Sequence, residues 1–289
     1  EGGIFLENWV RKTGSLAPEI RYKNQITYLT FPILEETGLV NHCFSTRMGG
    51  VSQGVYATMN FAFTKGDDPL RVKENYKRMA ELLEVDSSKM VLSWQTHTTN
   101  IRKVTREDEG KGIVRERDYQ DVDGLITNIP GITLVTFYAD CVPLYFLDPV
   151  KRAIGLSHSG WRGTVAKMGE KTVQAMKREY GSRPEDMIAC IGPSICGDCY
   201  QVGEEVAAAF METFDWAEHK RILRPEGNGK YRLNLWEANR LVLRGAGIPE
   251  NRIQVTDICT HCNPNYLFSH RTMGDKRGNL AAFLCLKEL

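Results

Sequence analysis

The sequence predicts an α+β fold in which layered, mixed β-sheets are flanked by helices. Of the 289 residues, 42% are hydrophobic and 25% are charged, a composition typical of a globular protein with a substantial core. Predicted strands and helices are interspersed without the regular strand–helix–strand repeat of parallel α/β sheets. No predicted strand is followed by G-x-G-x-x-G, so a doubly wound dinucleotide-binding fold is disfavoured.

The elements follow from hydrophobic patterns read along the chain. A helix is predicted from Asp68 to Leu83, because an Asp-Pro start precedes apolar residues at helical spacing. Further helices are predicted at 164–180, 202–215 and 233–245, the last beginning near Asn234. Short β-branched or apolar runs predict strands at 26–34, 41–47, 89–94, 100–104, 121–129, 132–138, 142–147, 152–157, 187–192, 252–256 and 280–286.

These elements are expected to form one domain, residues 25–289, because no Pro-, Ser- or Gly-rich linker divides the chain. Residues 1–24 form a predicted N-terminal extension. Because the first residue is Glu rather than Met, part of this extension is expected to result from processing or from the expression vector.

Composition excludes several classes of partner. The net charge is +1, from 37 Lys and Arg against 36 Asp and Glu, so no basic excess is present to bind a nucleic-acid polymer. No run of roughly 18 apolar residues predicts a membrane span, and no secretory pattern begins the chain. We therefore expect a cytoplasmic protein, as monomer or homodimer, whose eight cysteines are reduced.

Three residues predicted at strand ends form a candidate metal site: His97, Cys141 and His158. Imidazole nitrogen and thiolate sulfur suit Zn²⁺, and a three-ligand site leaves a position open for chemistry. However, the intervals of 44 and 17 residues match no compact metal motif. Residue types alone leave open that the histidines are structural and that the cysteine is a small buried hydrophobe.

Polar residues near these candidates favour a functional site. Asp140 adjoins the cysteine and Gln95 lies two residues before His97, where each could orient a ligand. Arg47 and Arg162 lie in Gly-flanked loops that suit an oxyanion such as phosphate. Exposed arginines on flexible turns would give the same pattern.

The order of several segments resembles one known family. They are HCFSTRMGGVSQGVY, MNFAF, SWQTHTTNI, DVDGLIT, ADCVPLYFLDP, IGLSHSGWRGTVAKM, IGPSICGDCYQVGEEV and CNPNYLFSHRTMGDKRGNLAAF. Together they resemble the laccase-domain family, also described as multicopper polyphenol oxidase-like or YfiH/YlmD-type. The resemblance covers the chain from about residue 25 to its end.

The resemblance implies a metal site and an activity. The ligands would be the His of Q-T-H, the Cys of A-D-C and the His of H-x-G-W-R-G, here His97, Cys141 and His158. The metal would be zinc, with copper as an alternative, and the fold would be similar to that of a bacterial toxin deamidase. The implied activity is purine nucleoside phosphorylase, with adenosine deaminase and methylthioadenosine phosphorylase as further activities.

For this activity, adenosine or inosine and phosphate would yield the free base and ribose 1-phosphate. We expect the metal to polarise the purine and Asp140 to orient a metal ligand. The expected catalytic residues are Cys141, Asp140, Arg47 and Arg162. The residues expected to bind substrate or phosphate are Arg47, Arg162, Gln95 and Arg271. The zinc-deaminase pattern of H-x-E with P-C-x-x-C is missing from the sequence, so no acid–base residue is predicted for deamination.

Copper-dependent phenol oxidation is expected only as a side activity. A multicopper oxidase holds a trinuclear cluster with many histidine ligands, and this chain has six histidines in total. That number cannot supply the usual ligand set, so any such reaction would use the single site of two histidines and one cysteine.

Three alternatives remain open. Cys196-x-x-Cys199 and Cys259-x-x-Cys262 could form a structural zinc site, but 59 residues separate the pairs, so unpaired thiols are expected.

A cysteine amidase acting on peptidoglycan precursors would use Cys141 as a nucleophile activated by a histidine. That histidine would be His158, oriented by Asp140 or Gln95. A metal-binding partner protein without activity is disfavoured, because structural zinc uses four closed ligands.

Overall fold

The computed structural model describes residues 8–288, which form four layers: one helix, two six-stranded sheets and a group of helices. Residues 1–7 and 289, and with them part of the predicted extension at 1–24, lie outside the described residues. The strands are β1 (Glu19–Lys23), β2 (Ile26–Thr30), β3 (Val40–Ser45), β4 (Met90–Leu92), β5 (Ile101–Lys103), β6 (Gly124–Thr127), β7 (Thr133–Tyr138), β8 (Val142–Asp148), β9 (Ala153–Ser159), β10 (Ile188–Ile191), β11 (Gln201–Gly203), β12 (Leu223–Gly227), β13 (Lys230–Leu233), β14 (Ile253–Val255) and β15 (Leu280–Leu286). The helices are α1 (Pro32–Glu35), α2 (Pro69–Leu83), α3 (Trp161–Val165), α4 (Met168–Tyr180), α5 (Glu204–Thr213), α6 (His219–Ile222), α7 (Leu235–Gly245) and α8 (His270–Met273).

The two large sheets mix parallel and antiparallel pairs. The first has the order β1-β2-β3-β15-β7-β4, so the C-terminal strand β15 lies antiparallel between β3 and β7. The second has the order β14-β10-β8-β9-β6-β5, and β8 and β9 form the antiparallel hairpin that the sequence predicts. A small third sheet, β11-β13-β12, was not predicted.

The core between the two large sheets is apolar on both sides. Leu134 and Leu284 of the first sheet belong to the same buried cluster as Tyr145 and Leu156 of the second. The outer face of the first sheet packs against α2, and the outer face of the second packs against α4 and α7. Because most central strands are buried on both faces, their sequences are continuous apolar runs. The predicted layered α+β class is confirmed.

Helix boundaries follow from local chemistry. Asp68 caps α2 by accepting a hydrogen bond from the backbone of Leu70, and Asn234 caps α7 in the same manner. The single helix predicted at 164–180 is wrong. Lys167 has a left-handed backbone conformation (φ 57°) that separates α3 from α4.

The strand predicted at 26–34 is also too long. It ends at Thr30, and the short helix α1 follows with Pro32 in its first turn, where the missing N–H of proline costs nothing. Within residues 8–288, none of the helices is long and apolar enough to cross a membrane.

Candidate metal centre between the two sheets

The candidate ligands lie where the chain passes from the first large sheet to the second. Cys141 belongs to the short connection between β7 in the first sheet and β8 in the second. His158 lies near the end of β9, directly opposite Pro143 of β8. His97 lies in an irregular loop between β4 and β5 with a positive φ of 65°, so its predicted position at a strand end is wrong.

The three side chains converge in space. Their candidate ligand atoms all lie within 4.8 Å of one another, and the ring centroids of His97 and His158 are 4.9 Å apart at an angle of 70°. His158 is buried, Cys141 is half-buried and His97 is exposed. A donor set of two imidazoles and one thiolate with one solvent-facing side fits a transition metal that keeps a position open.

The residue that organises this centre is Asp123, which is fully buried. Its carboxylate lies 2.8 Å from Nδ1 of His158 and accepts hydrogen bonds from the backbone amides of Thr96, His97 and Thr98. A carboxylate only accepts, so Nδ1 carries the proton and Nε2 keeps its lone pair for a metal. One side chain thus fixes both the tautomer of one ligand and the loop that carries another.

The charges of the centre are coupled. Burial alone would raise the pKa of Asp123, but hydrogen bonds from His158 and backbone amides outweigh burial and hold this pKa below its usual value. Burial opposes protonation of His158, yet the neighbouring Cys141 and Asp123 raise its pKa to about 9. Partial desolvation and the adjacent His158 lower the pKa of His97. The raised pKa of His158 means that, without a metal, this residue also takes up a second proton on Nε2, and a bound metal would replace that proton.

Gly160 leaves room for the ligand atoms. A Cβ built at this position would lie 3.0 Å from Nδ1 of His97 and 3.1 Å from Sγ of Cys141. Its φ of −78° is accessible to any residue, so the need for glycine here is steric. Every larger residue would press on the ligand atoms.

Two cavities meet at the centre, with volumes of about 370 Å³ and about 460 Å³. His97, Cys141 and Arg277 line both cavities. The first also contains His158 and aromatic residues, among them Phe63, Trp94 and Phe137. The second contains Arg162, Arg271, Trp161 and Tyr200. The first cavity is therefore richer in aromatic surface. Guanidinium groups line both cavities, Arg117 and Arg277 in the first and Arg162, Arg271 and Arg277 in the second.

Two predicted anion-binding arginines, Arg162 and Arg271, reach the second cavity, but Arg47 does not line either cavity. Its guanidinium donates to the backbone carbonyls of Ala57 and Pro264 and lies 4.6 Å from the ring centroid of Phe268. Burial lowers its pKa. These contacts favour a structural role for Arg47, which joins the segments that carry Ala57 and Pro264, and its binding of phosphate stays a prediction.

Asp140 and Gln95 lie in the cavity walls. Each was expected to orient a metal ligand, but the side chains of both residues form hydrogen bonds elsewhere. The Asp140 carboxylate accepts hydrogen bonds from the Thr260 hydroxyl at 2.6 Å and from the Arg271 backbone at 2.7 Å. The Gln95 amide bonds to the backbone N–H and C=O of Phe137. Asp123 was not predicted as a site residue, although it lies in the segment DVDGLIT. It lies beside His158 only because β6, which follows it, pairs with β9.

Comparison with known proteins identifies the family of the chain. The family model described as multi-copper polyphenol oxidoreductase laccase matches residues 41–287. The chain belongs to this family. It is 36% identical over 252 residues to purine nucleoside phosphorylase YlmD of Bacillus subtilis, covering 85% of this chain and 88% of that protein. It is 34% identical over 237 residues to adenosine deaminase RL5 from an unknown prokaryotic organism, covering 81% and 90%.

The solved structures show the same fold. The crystal structure of Bacillus licheniformis YfiH superposes with a TM-score of 0.86 at 34% sequence identity, covering 93% of this chain and 99% of that one. The predicted family membership is confirmed.

The remaining histidines do not assemble a copper cluster. Within residues 8–288, the groups of at least three potential ligands are the centre described above and four cysteines. Of the four remaining histidines, His42 is buried in the sheet core, His219 bonds to the backbone of Phe214, His261 bonds to Thr272, and His270 alone lines the second cavity. The imidazoles that a trinuclear copper site needs are therefore dispersed through the fold.

The four cysteines are Cys196, Cys199, Cys259 and Cys262, whose sulfurs also lie within 4.8 Å of one another. The expectation that 59 intervening residues would keep the two pairs apart is wrong, because the fold brings them together.

Proposed function

We propose that this chain is a metal-dependent purine nucleoside phosphorylase, converting adenosine or inosine and phosphate into the free base and ribose 1-phosphate. One observation carries the proposal: His97, Cys141 and His158 lie at the junction of an aromatic-walled cavity and an arginine-rich cavity. The reaction joins one flat, apolar-faced substrate with one anion, so it needs two such compartments. Relatives named purine nucleoside phosphorylase and adenosine deaminase support the same chemistry.

The second cavity would bind phosphate. Arg277 is only 8% exposed, and its Nε has no hydrogen-bond partner among the described residues. Its Nη1 donates to the Gly278 carbonyl and to the Asn279 side chain, and the guanidinium lines the cavity wall, where a phosphate oxygen would accept a charge-assisted hydrogen bond. Arg162 and Arg271 line the same cavity and would balance the remaining charge of the anion.

The first cavity would bind the purine nucleoside. Phe63, Trp94 and Phe137 are half-buried there, so each leaves part of its apolar surface available to a planar base. Such pockets combine apolar walls with a few placed polar groups. Adenosine would bind in the same manner for deamination, and methylthioadenosine is a further candidate substrate.

His97, Cys141 and His158 would hold the metal, which we propose to be zinc, with copper as an alternative occupant. Zinc would supply a Lewis acid that polarises the departing purine. The protein contributes the positions of the reactants. Asp123 would keep Nε2 of His158 available to the metal. The arginines of the second cavity would hold phosphate against the ribose carbon of the nucleoside bound in the first cavity.

Incubation of the zinc-loaded protein with inosine and isotopically labelled phosphate tests the proposal. We expect the label in ribose 1-phosphate, together with one hypoxanthine per ribose 1-phosphate. Hypoxanthine formed with free ribose and no labelled sugar would indicate a hydrolase instead.

A second candidate function rests on a specific observation. Cys141, His158 and Asp123 are arranged as a nucleophile, a base and an orienting carboxylate, the set used by cysteine amidases. Cys141→Ser separates the two functions, because a serine hydroxyl is a poorer zinc ligand than a thiolate. The phosphorylase proposal predicts reduced zinc content and lost phosphorolysis in the variant. Unchanged zinc, with a covalent adduct on wild-type Cys141 detected by intact mass after incubation with a peptidoglycan-precursor amide, would favour the amidase.

A further inference from the structure

The four cysteines outside the catalytic centre follow two neighbouring strands. β10 and β14 are parallel partners, so their carboxyl ends meet at the same edge of the second sheet. Beyond these ends the two chain segments continue side by side, with Ser194 bridging to Cys259 and the backbone of Thr260 donating to Ser194. This pairing places Cys196-x-x-Cys199 directly beside Cys259-x-x-Cys262.

The sulfur positions suit a metal ion better than a disulfide. All four sulfurs lie within 4.8 Å of one another, and those of Cys199 and Cys262 are 3.4 Å apart. A disulfide requires about 2.05 Å, and all eight cysteines of the chain are free. Zinc at about 2.3 Å from four tetrahedral sulfurs would place them about 3.8 Å apart, which lies within the observed range.

The surrounding backbone is already organised for ligation. The carbonyl of Cys196 accepts the amides of Cys199 and Tyr200 at 3.0 Å each, which closes a tight turn. The Cys196 amide donates to Sγ of Cys259 at 3.2 Å, a contact that stabilises thiolate charge. Asn263 donates to the carbonyl of Cys259 and holds the second turn. Both turns therefore present their sulfurs without rearrangement of the backbone.

From this geometry we infer that Cys196, Cys199, Cys259 and Cys262 bind a second, structural zinc ion. Four thiolates fill a tetrahedral shell and leave no open position, so the ion stabilises the fold and does not react. It would fix one wall of the second cavity: Ile195 donates to the carbonyl of Asp140, and Thr260 donates to its carboxylate. The binding free energy would add to the stability of the folded chain.

Metal analysis of the purified full chain tests this inference. We expect about two zinc ions per wild-type chain, about one in the double variant Cys199→Ser/Cys262→Ser, and two in Cys285→Ser, a control in the buried strand β15. His97→Ala should lose only the catalytic ion, so the two sites are counted separately. The double variant should also unfold at a lower temperature than the control.

A second measurement does not depend on folding of the variants. When the wild-type protein is loaded with Co²⁺, thiolate-to-cobalt charge-transfer absorption reports the number of sulfur ligands. We expect the absorption of about five thiolates, four from this cluster and one from Cys141. Absorption of a single thiolate, one zinc ion in both the wild type and the double variant, or loss of four titratable thiols to disulfides would overturn the inference.

Discussion

The carboxylate of Asp123 lies 2.8 Å from Nδ1 of His158 and also accepts the backbone amide of His97 at 3.1 Å. Two of the three candidate metal ligands therefore depend on one buried side chain. A bond of this kind fixes the imidazole tautomer that a metal requires.

Asp123→Asn should weaken metal binding. The amide nitrogen of asparagine would face Nδ1 as a donor and favour the tautomer protonated at Nε2, which cannot ligate. We expect about a 10- to 100-fold loss of zinc affinity, measured by competition with a chromophoric chelator. Asp121→Asn is the control, because Asp121 is exposed and contacts Thr96 rather than a ligand side chain. Equal affinities of the two variants would contradict the role of Asp123.

Gly160→Ala should block the metal site and leave the fold intact. The added methyl group would lie 3.0 Å from Nδ1 of His97 and 3.1 Å from Sγ of Cys141, closer than ordinary van der Waals contact, so the two ligand side chains would have to move apart. The backbone conformation suits alanine. We expect loss of metal content and activity with little change in melting temperature. Gly163→Ala is a matched control in the next helix, because its Cβ would meet nothing closer than 3.5 Å. Full metal occupancy in Gly160→Ala would show that the ligand geometry is wrong.

Arg277→Gln should raise the KM for phosphate. Loss of a charge-assisted hydrogen bond costs about 1.5–3 kcal/mol, which corresponds to roughly a 10- to 100-fold increase. The KM for inosine should change less than the KM for phosphate. Arg47→Gln should lower the free energy of unfolding instead, because Arg47 contacts the backbone and Phe268. Steady-state kinetics with each substrate varied separately distinguishes the two arginines. A larger phosphate effect from Arg47 would reverse the assignment.

The arginines illustrate what the sequence could not reveal. Arg47 and Arg162 both lie near glycines in the sequence, but the loop predicted around Arg162 is wrong, because this residue belongs to helix α3. Only the contacts of the folded chain separate a structural arginine from one in a cavity. The central strands β7, β8 and β15 were predicted closely, since their long apolar runs leave few alternatives.

Positions that depend on strand pairing were not predicted. The roles of Asp123 and of the four cysteines require knowledge that β6 pairs with β9 and that β10 pairs with β14. Local patterns contain no such information, because the partners are far apart in the chain.

His42 should make the stability of the protein depend on pH. Burial lowers its pKa from 6.5 to about 4, so between these values the unfolded chain binds a proton that the folded chain does not. The free energy of unfolding therefore falls as the pH falls from 6.5 to 4, by about 3 kcal/mol in total. His42→Gln keeps an acceptor for the Phe31 amide but does not titrate. Urea unfolding at several pH values should give a shallower slope for this variant, and identical slopes would refute the assignment.

The most direct test of the account is the product formed from adenosine by the protein before and after metal removal, with and without phosphate. We predict adenine and ribose 1-phosphate only when metal and phosphate are both present, and recovery of this activity when zinc is returned to the stripped protein. Inosine as the only product under every condition, or ribose 1-phosphate formed equally well by the metal-free protein, would contradict the account.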